Sequence, residues 1–476
     1  MHTVILGNGI IAMTIAFRLA RQAGPEDRIT VVGKKTREGA ATFAAPAMLN
    51  SFAEIEKDSL TSDIDKYRFD LSIEATKKWP QFEQEIYKIA YPGEFLEATY
   101  SGFDSGTYVI NNTAADDLDD ENFDSIVEGL KAYNEPYSAV SPTEIPNYMP
   151  EQRHRATRAI YIESEGWVNP RRLMNALEKA MENLGIVTFV DGEIIELNAG
   201  ASGIATVTLS DACRIDGDQF ILATGASVSE ILTRSKLELQ IPKVFYGVGI
   251  SLEIKSPEFR HTKCVRTPNR GLACGLYTAP YAVSDGYPND HVIVGASNFI
   301  SPTPYHHGRL SSVAGLMQGA IEQINANFYK SDLIRINLGW RPTSQDTYPL
   351  IGRTSITNLV IVTGTKREGF HLSPVISEKI VTLLYGGSLE SEFEFFKPER
   401  KLIQSLSREV AIDKAVRHQM SAAYQHGFSP SKSRMPEQIK TMYRENLERL
   451  HDQVGAVDWG IPPEMLDMYR YGHALA

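Results

Sequence analysis

His2-Thr3-Val4-Ile5-Leu6-Gly7-Asn8-Gly9-Ile10-Ile11-Ala12 opens the chain, and the reading of this stretch decides the fold. An apolar run stops at a glycine turn, and a helical pattern continues to Ala23. After Gly24-Pro25 a second apolar run appears at Ile29-Thr30-Val31-Val32. Strand, glycine turn, helix and strand in that order make the first βαβ unit of a dinucleotide-binding fold. Gly7 permits the sharp exit from the strand. Gly9 has no side chain, so backbone N–H groups at the helix start can approach a pyrophosphate, where the helix dipole favours anions. Ala12 takes the third small position, where helix and strand pack closely, and Ile10 and Ile11 lie between. A plain glycine turn with no ligand is the alternative, and this stretch alone leaves both open.

One feature departs from the pattern. The second strand of such a unit ends on Asp or Glu, which binds the adenosine ribose hydroxyls. Here the slot reads Gly33-Lys34-Lys35. Two explanations compete: a lysine or backbone groups stand in for the acid, or the lysines favour a 2′-phosphate and hence NADP.

Composition narrows the function classes. At 476 residues the chain exceeds one ordinary core, so two domains are expected. The balance of 48 basic against 59 acidic residues provides no basic field for nucleic acid or an anionic membrane surface. Cys213, Cys264 and Cys274 show no metal-ligand spacing and cannot pair evenly, which suits a reducing compartment. The first strand begins almost at Met1, leaving no room for a signal peptide, and no run is apolar enough to span a bilayer. A cytoplasmic protein is expected.

Beyond the opening unit, Gly39 to Asn50 is a loop of small residues, including Ala41, Thr42, Ala45, Met48 and Leu49. It is either a packed loop or a backbone laid against a planar ring system. Asp65 to Tyr91 has a helical pattern interrupted at Trp79-Pro80. Gly102, Gly106 and Val109-Ile110 read as turn and strand, and the acidic run Asp116 to Asp124 as a solvated loop. Asn169 caps a helix from Arg171 to Leu184, with Pro170 at its first position. Asp218 to Leu222 is a buried strand entering Ala223-Thr224-Gly225, a second turn small enough for close backbone approach to a ligand. Strands dominate from Ile241 to Ile300, and a helix is expected over Leu310 to Phe328. The adjacent His306 and His307 cannot both face one metal, and no metal site is expected.

The last third carries Trp340-Arg341-Pro342, then strand Leu359–Val362, then Gly364-Thr365-Lys366-Arg367-Glu368-Gly369-Phe370-His371-Leu372-Ser373-Pro374 and a helix. Glycines between a strand and a helix again make an anion-receptive site. These pieces, in this order, resemble the FAD-dependent glycine oxidase and D-amino-acid oxidase superfamily over roughly residues 1 to 387. The resemblance rests on Gly7–Ala12, Gly39–Asn50, Gly166-Trp167-Val168-Asn169-Pro170, Ala223-Thr224-Gly225, Val292–Ala296, Arg341-Pro342 with Asp346, Pro349 and Gly352, and Gly364–Pro374.

The resemblance implies an α/β fold: a Rossmann-like FAD-binding domain, a second mixed β-sheet substrate domain and a helical C-terminal extension. The expected boundaries are 1–95, 160–235 and 335–390 for the first, 96–159 and 236–334 for the second, and 391–476 for the extension. It also implies non-covalent FAD held by Gly7, Gly9, Ile10, Ile11, Ala12, Gly33, Lys34, Ala41, Thr42, Ala45, Met48, Leu49, Ala223, Thr224 and Gly225. Gly369, Phe370, His371 and Leu372 would cap it. Arg341 matches the carboxylate-binding arginine, its planar guanidinium suiting a bidentate clamp. Arg367 would contact flavin or substrate, and Tyr246 and Tyr277 are either pocket or packing residues. Cys274-Gly275-Leu276-Tyr277 resembles the flavin-linked cysteine of sarcosine oxidases, but it precedes the Arg-Pro motif, so covalent attachment is not expected.

The implied reaction oxidises a C–N bond by hydride transfer to flavin N5, with an amine or amino-acid substrate and O2 or another electron acceptor. A dehydrogenase of an N-methylated or biosynthetic amine is one alternative; a non-catalytic FAD-binding partner subunit is another. The extension repeats Leu402, Leu406, Val410 and Met420, then Ile439, Met442, Leu447 and Leu450, at helical spacing. Those stripes must be covered by the body or by a second subunit, the latter giving a homo-oligomer.

Overall fold

The computed structural model describes residues 1–93, 104–256, 258–259, 261–281, 290–430 and 434–475. The expected opening unit is present as strand His2–Leu6, helix Ile10–Gln22 and strand Arg28–Val32. His2–Leu6 lies inside a six-stranded sheet ordered Leu350–Arg353, Leu359–Thr363, Gln219–Leu222, His2–Leu6, Arg28–Val32, Val187–Val190. All neighbours run parallel except the edge strand Leu350–Arg353. Its strands read Val-Ile-Leu and Val-Ile-Val because both faces are covered. Helices Ile10–Gln22, Asp63–Ala90, Pro170–Leu184 and Ser373–Leu384 form one core with it. Helix Val228–Ser235 and a small three-stranded sheet fill the other face.

The second sheet has ten strands and centres on Val244–Lys255, which pairs antiparallel with Asp332–Ser344 over almost its whole length. Two of its other strands carry site residues, Tyr277–Tyr281 and Cys264–Arg266. This sheet also takes in Arg158–Trp167 and Asp332–Ser344, so the boundaries expected at 159/160 and 334/335 cut through its strands. Gly102 and the boundary expected at 95/96 lie outside the described residues.

Three expectations are corrected. Helix Asp63–Ala90 runs unbroken through Pro80. An internal proline costs about 3 kcal/mol, whereas Trp79, Phe82 and Ile86 are each buried in the core on the same helix. Trp79 also stacks on Phe370 at 5.6 Å and donates from Nε1 to the His371 carbonyl. The acidic run is not a loop but the N-cap and first two turns of helix Asp117–Ala132, and the dipole favours the carboxylates of Asp117, Asp119 and Asp120 in its first turn. Its Asp119 is fully buried and grips the equally buried Arg270 at 2.8 and 2.9 Å. The helix expected over Leu310 to Phe328 is broken into helix Leu310–Gly319, a π turn at Ala320–Ile324 and a 3₁₀ turn at Ala326–Lys330.

The extension folds back on the body. Helices Arg408–Gln425 and Met435–Val454 bury Ile412, Ala415, Val416, Leu447 and Leu450 in one cluster with Phe245 of the central strand. Of the expected stripes, Met420, Leu447 and Leu450 are buried, whereas Val410 and Met442 are exposed.

Candidate functional site

A cavity of 570 Å³ extends from the ends of the first sheet's strands to the face of the second sheet. That volume is in the range of ligand pockets. At one end Gly7 holds φ +117°, and a Cβ there would lie 2.3 Å from the Ala223 carbonyl oxygen, so only glycine fits. Gly9 starts the helix, and the next N–H, of Ile10, donates to Thr42 Oγ1 at 3.0 Å. That bond ties the small-residue loop to the helix N-terminus. Ile11, Ala41, Ala45, Met48, Gly33 and Lys34 line the same space, as do Ala223, Thr224 and Gly225. Thr224 Oγ1 is buried with no partner among the described residues, the condition a polar ligand would relieve. Unsubstituted backbone at Gly7, Gly9 and Gly225, a helix N-terminus and an orphaned hydroxyl together fit a dinucleotide cofactor.

At the other end the second sheet presents Arg341, Tyr277 and Tyr246. Arg341 crosses Gly249, where a Cβ would meet its guanidinium at 2.3 to 2.5 Å. Its Nη1 donates to the Ser297 carbonyl at 3.0 Å and Asn298 Oδ1 at 2.9 Å, and its Nη2 to Ser297 at 3.1 Å. Tyr277 lies over Gly295 in the same way. Tyr246 donates to Glu230 at 2.9 Å and meets Trp340 edge-on. Burial pushes both phenols up, so each is a neutral donor at physiological pH. Trp340 occupies the space a side chain at Gly39 would need, which packs the small-residue loop against the second sheet.

The loop Gly364–Pro374 is joined to this wall. Lys366 adopts φ +52° and its N–H donates to the Pro342 carbonyl at 2.8 Å, beside Arg341. Arg367 reaches into the cavity with two long contacts, 3.4 Å to Asn269 Oδ1 and 3.8 Å to Glu56. Next to it Arg266 pairs with Glu54 at 2.5 Å. Burial pushes the Glu54 carboxyl up, but Arg266 and Arg367 outweigh burial and hold it at about 2. Cys274, also in the wall, is a free thiol at φ +63°.

The structure therefore brings together Arg341, Tyr246, Tyr277, Arg367, Gly369 and Phe370 with the glycine turns at Gly7–Gly9 and Ala223–Gly225. Four residues expected at the cofactor lie elsewhere. Ala12, Leu49 and Leu372 are buried in the apolar core. His371 faces a second cavity, bonded to Thr76 Oγ1 at 2.8 Å, and burial holds it at about 4. Sequence reasoning missed Asn8, Glu54, Glu193, Glu230, Arg266 and Asn269, all in the cavity wall. Only Asn8, inside the glycine motif, carried a local signal.

The second cavity, of 230 Å³, shares Glu54, Asn269, Lys366 and Arg367 with the first. Its far wall comes from the extension through Lys414, His418 and Glu464. Glu464 pairs with Lys366 at 2.8 Å, and Lys414 with Glu56 at 3.1 Å. Among the described residues no His, Cys, Asp or Glu group is arranged to hold a metal. His306 instead pairs with Glu38 at 2.7 Å. No helix among them is long and apolar enough to cross a membrane.

Residues 2–383 match the family model described as FAD dependent oxidoreductase, of DAO type. The bifunctional protein ThiO/ThiG of Trichormus variabilis is 22% identical over 390 residues, covering 80% of this chain and 52% of that protein. The chain thus spans about half the length of that relative. Glycine oxidase of Bacillus licheniformis is 22% identical over 423 residues, covering 84% of this chain and 97% of the oxidase. Among solved structures, glycine oxidase from Geobacillus kaustophilus superposes with a TM-score of 0.68 at 18% identity, covering 84% of this chain and 99% of that one.

Proposed function

The chain belongs to the DAO family of FAD-dependent oxidoreductases, and on that premise we propose that it oxidises the C–N bond of an amino acid or related amine. One observation carries the reading: Arg341 and Tyr277 stand at the far end of the cavity whose near end is the nucleotide cradle. Three bonds to Ser297 and Asn298 fix Arg341 through its Nη atoms and leave the Nε–H and one Nη2–H as a fork for a carboxylate. Tyr277 and Tyr246, kept neutral by burial, offer a hydroxyl donor and an aromatic wall. Arg367 adds positive charge at the loop Gly364–Pro374, where Asn269 and Glu56 lie at 3.4 and 3.8 Å from it.

Bound non-covalently, FAD supplies the two-electron acceptor for the α-hydrogen of the substrate. Thr42 and the helix N-terminus at Gly9 would hold its pyrophosphate side, and the loop Lys366–Phe370 would face its ring. The chain's own residues orient the amine and exclude water around it; if the amine binds unprotonated, no side chain need remove its proton. The imine so formed takes up water and breaks to a carbonyl compound and ammonia or a smaller amine. Three free cysteines agree with a cytoplasmic setting.

The test is anaerobic. Purified protein should show flavin absorbance that bleaches with at least one member of a panel of amino acids and N-alkyl amino acids. Arg341→Ala should retain flavin and lose reduction by every carboxylate-bearing substrate. Undiminished reduction in that variant would remove the assignment. Reoxidation by air, or only by an added quinone, then separates oxidase from dehydrogenase.

A further inference from the structure

The acid that usually receives the adenosine ribose is absent from the end of strand Arg28–Val32, where Gly33 stands. The structure shows that the space is filled as well. A Cβ on Gly33 would lie 2.5 to 2.9 Å from the Asn8 amide group, and Asn8 Nδ2 donates to the Lys34 carbonyl at 2.9 Å. No acid fits there while Asn8 keeps that bond.

The neighbouring strand supplies another carboxylate. Gly33 N–H donates to the Val190 carbonyl at 3.1 Å, and Lys35 N–H to Asp191 Oδ1 at 2.9 Å. These bonds lace the end of Arg28–Val32 to the end of Val187–Val190. Two residues further on, Glu193 lines the principal cavity beside Gly33 and Lys34. Its Oε2 lies 2.7 Å from Lys34 Nζ, and both side chains are about half exposed. The other carboxylates of the wall are engaged elsewhere: Glu54 by Arg266, Glu38 by His306, and Glu230 by Tyr246 and Arg234.

We propose that Glu193 is the carboxylate that receives the adenosine ribose hydroxyls of FAD, moved one strand across from its usual place. Lys34 serves as its counter-ion and is not a phosphate ligand. A 2′-phosphate at this site would meet the Glu193 charge. The inference rests on FAD as the cofactor and is independent of the amine substrate.

The test measures cofactor affinity and needs no turnover. Dissociation constants are read by flavin fluorescence on the full-length chain, for FAD and, in competition, for its 2′,3′-dideoxyadenosine analogue. Glu193→Gln should weaken FAD roughly tenfold, the low end for a hydrogen bond to a charged group at a half-exposed site. In the native chain the analogue should bind weaker than FAD by a similar factor. Glu193→Gln should bind FAD and the analogue alike. If the variant binds FAD within twofold of the native chain, or if the two losses multiply, Glu193 does not touch the ribose.

Discussion

Gly249→Ala tests the assigned role of Arg341 without removing a single polar atom. The added methyl would sit 2.3 Å from Nη2, 2.4 Å from Cζ and 2.5 Å from Nη1 of Arg341, where ordinary contact begins near 3.4 Å. The guanidinium must therefore retreat by about 1 Å. It cannot do so and keep its bonds to Ser297 and Asn298, which are 2.9 to 3.1 Å long. A displacement of that size at a positioning group costs on the order of 10²-fold in rate, or about 2.7 kcal/mol of transition-state stabilisation. We expect kcat/KM for a carboxylate substrate to fall by roughly that factor. Flavin content should match that of the native chain, because the three atoms nearest the added methyl all belong to Arg341. The fold should not suffer, since alanine in a strand loses less backbone entropy than glycine. The assay is steady-state kinetics on the substrate that bleaches the flavin best, with Arg341→Ala as the floor and a thermal melt as control. A variant within threefold of the native rate would show that the position of Arg341 does not matter to the reaction.

Asp119→Asn leaves the fully buried Arg270 without its counter-charge and should lower the unfolding free energy by about 3–5 kcal/mol. Urea unfolding would show this as an earlier midpoint at unchanged slope, and a midpoint equal to the native one would refute it. Stability should also fall in mild acid. Burial holds His261, His371 and His418 at about 4, so below an unfolded value near 6.5 the unfolded chain binds protons that the folded chain refuses. Stability is then lost from pH 6.5 down to 4 at about 1.4 kcal/mol per pH unit for each histidine. Glu165, pushed up to about 7 by burial, opposes one of the three between pH 7 and 4.5. These four groups together contribute about 2.7 kcal/mol per unit between pH 6.5 and 4.5, and His418→Gln should lower the measured slope by about 1.4 kcal/mol per unit. A slope unchanged in that variant would mean His418 is not held neutral.

How much of this was legible follows from how far each signal reaches along the chain. The nucleotide cradle was legible because its parts are neighbours in sequence: Gly7, Gly9 and the helix start are set by local backbone needs. Arg341 and Arg367 were legible through motifs that carry their own surroundings, the Arg-Pro pair and the glycine loop. Glu54, Arg266 and Glu193 were not, because each acquires meaning only from a partner on another strand. Glu54 meets Arg266 across 212 positions, and Glu193 meets Lys34 across the join between two parallel strands. Asp119 was misread for the same reason: a run of acids predicts solvation unless a distant cation is known, and Arg270 lies 151 positions away. His371 shows a different failure. The loop's glycines were expected to cap the cofactor, but side chains after Gly369 diverge, so that Phe370 lines the first cavity and His371 the second one.

The extension gives that second cavity its significance. The two charges of the loop after strand Leu359–Thr363 are answered by carboxylates, one on the extension and one on the body. Lys366 is held by Glu464, while Arg367 faces Glu56, whose own nearest cation is Lys414. Burial pushes Glu56 and Glu464 up, yet the surrounding cations prevail and keep both carboxyls below their ordinary range, so each stays charged in the wall. Lys414 and Glu464 of the extension thus share one charge cluster with Lys366 and Arg367, which also line the first cavity. The backbone bond from Lys366 to Pro342 links that cluster to the residue beside Arg341. Residues 391–476 are thus mechanically and electrostatically joined to the group proposed to hold the substrate, which is reason to treat them as part of the site and not as an appendage.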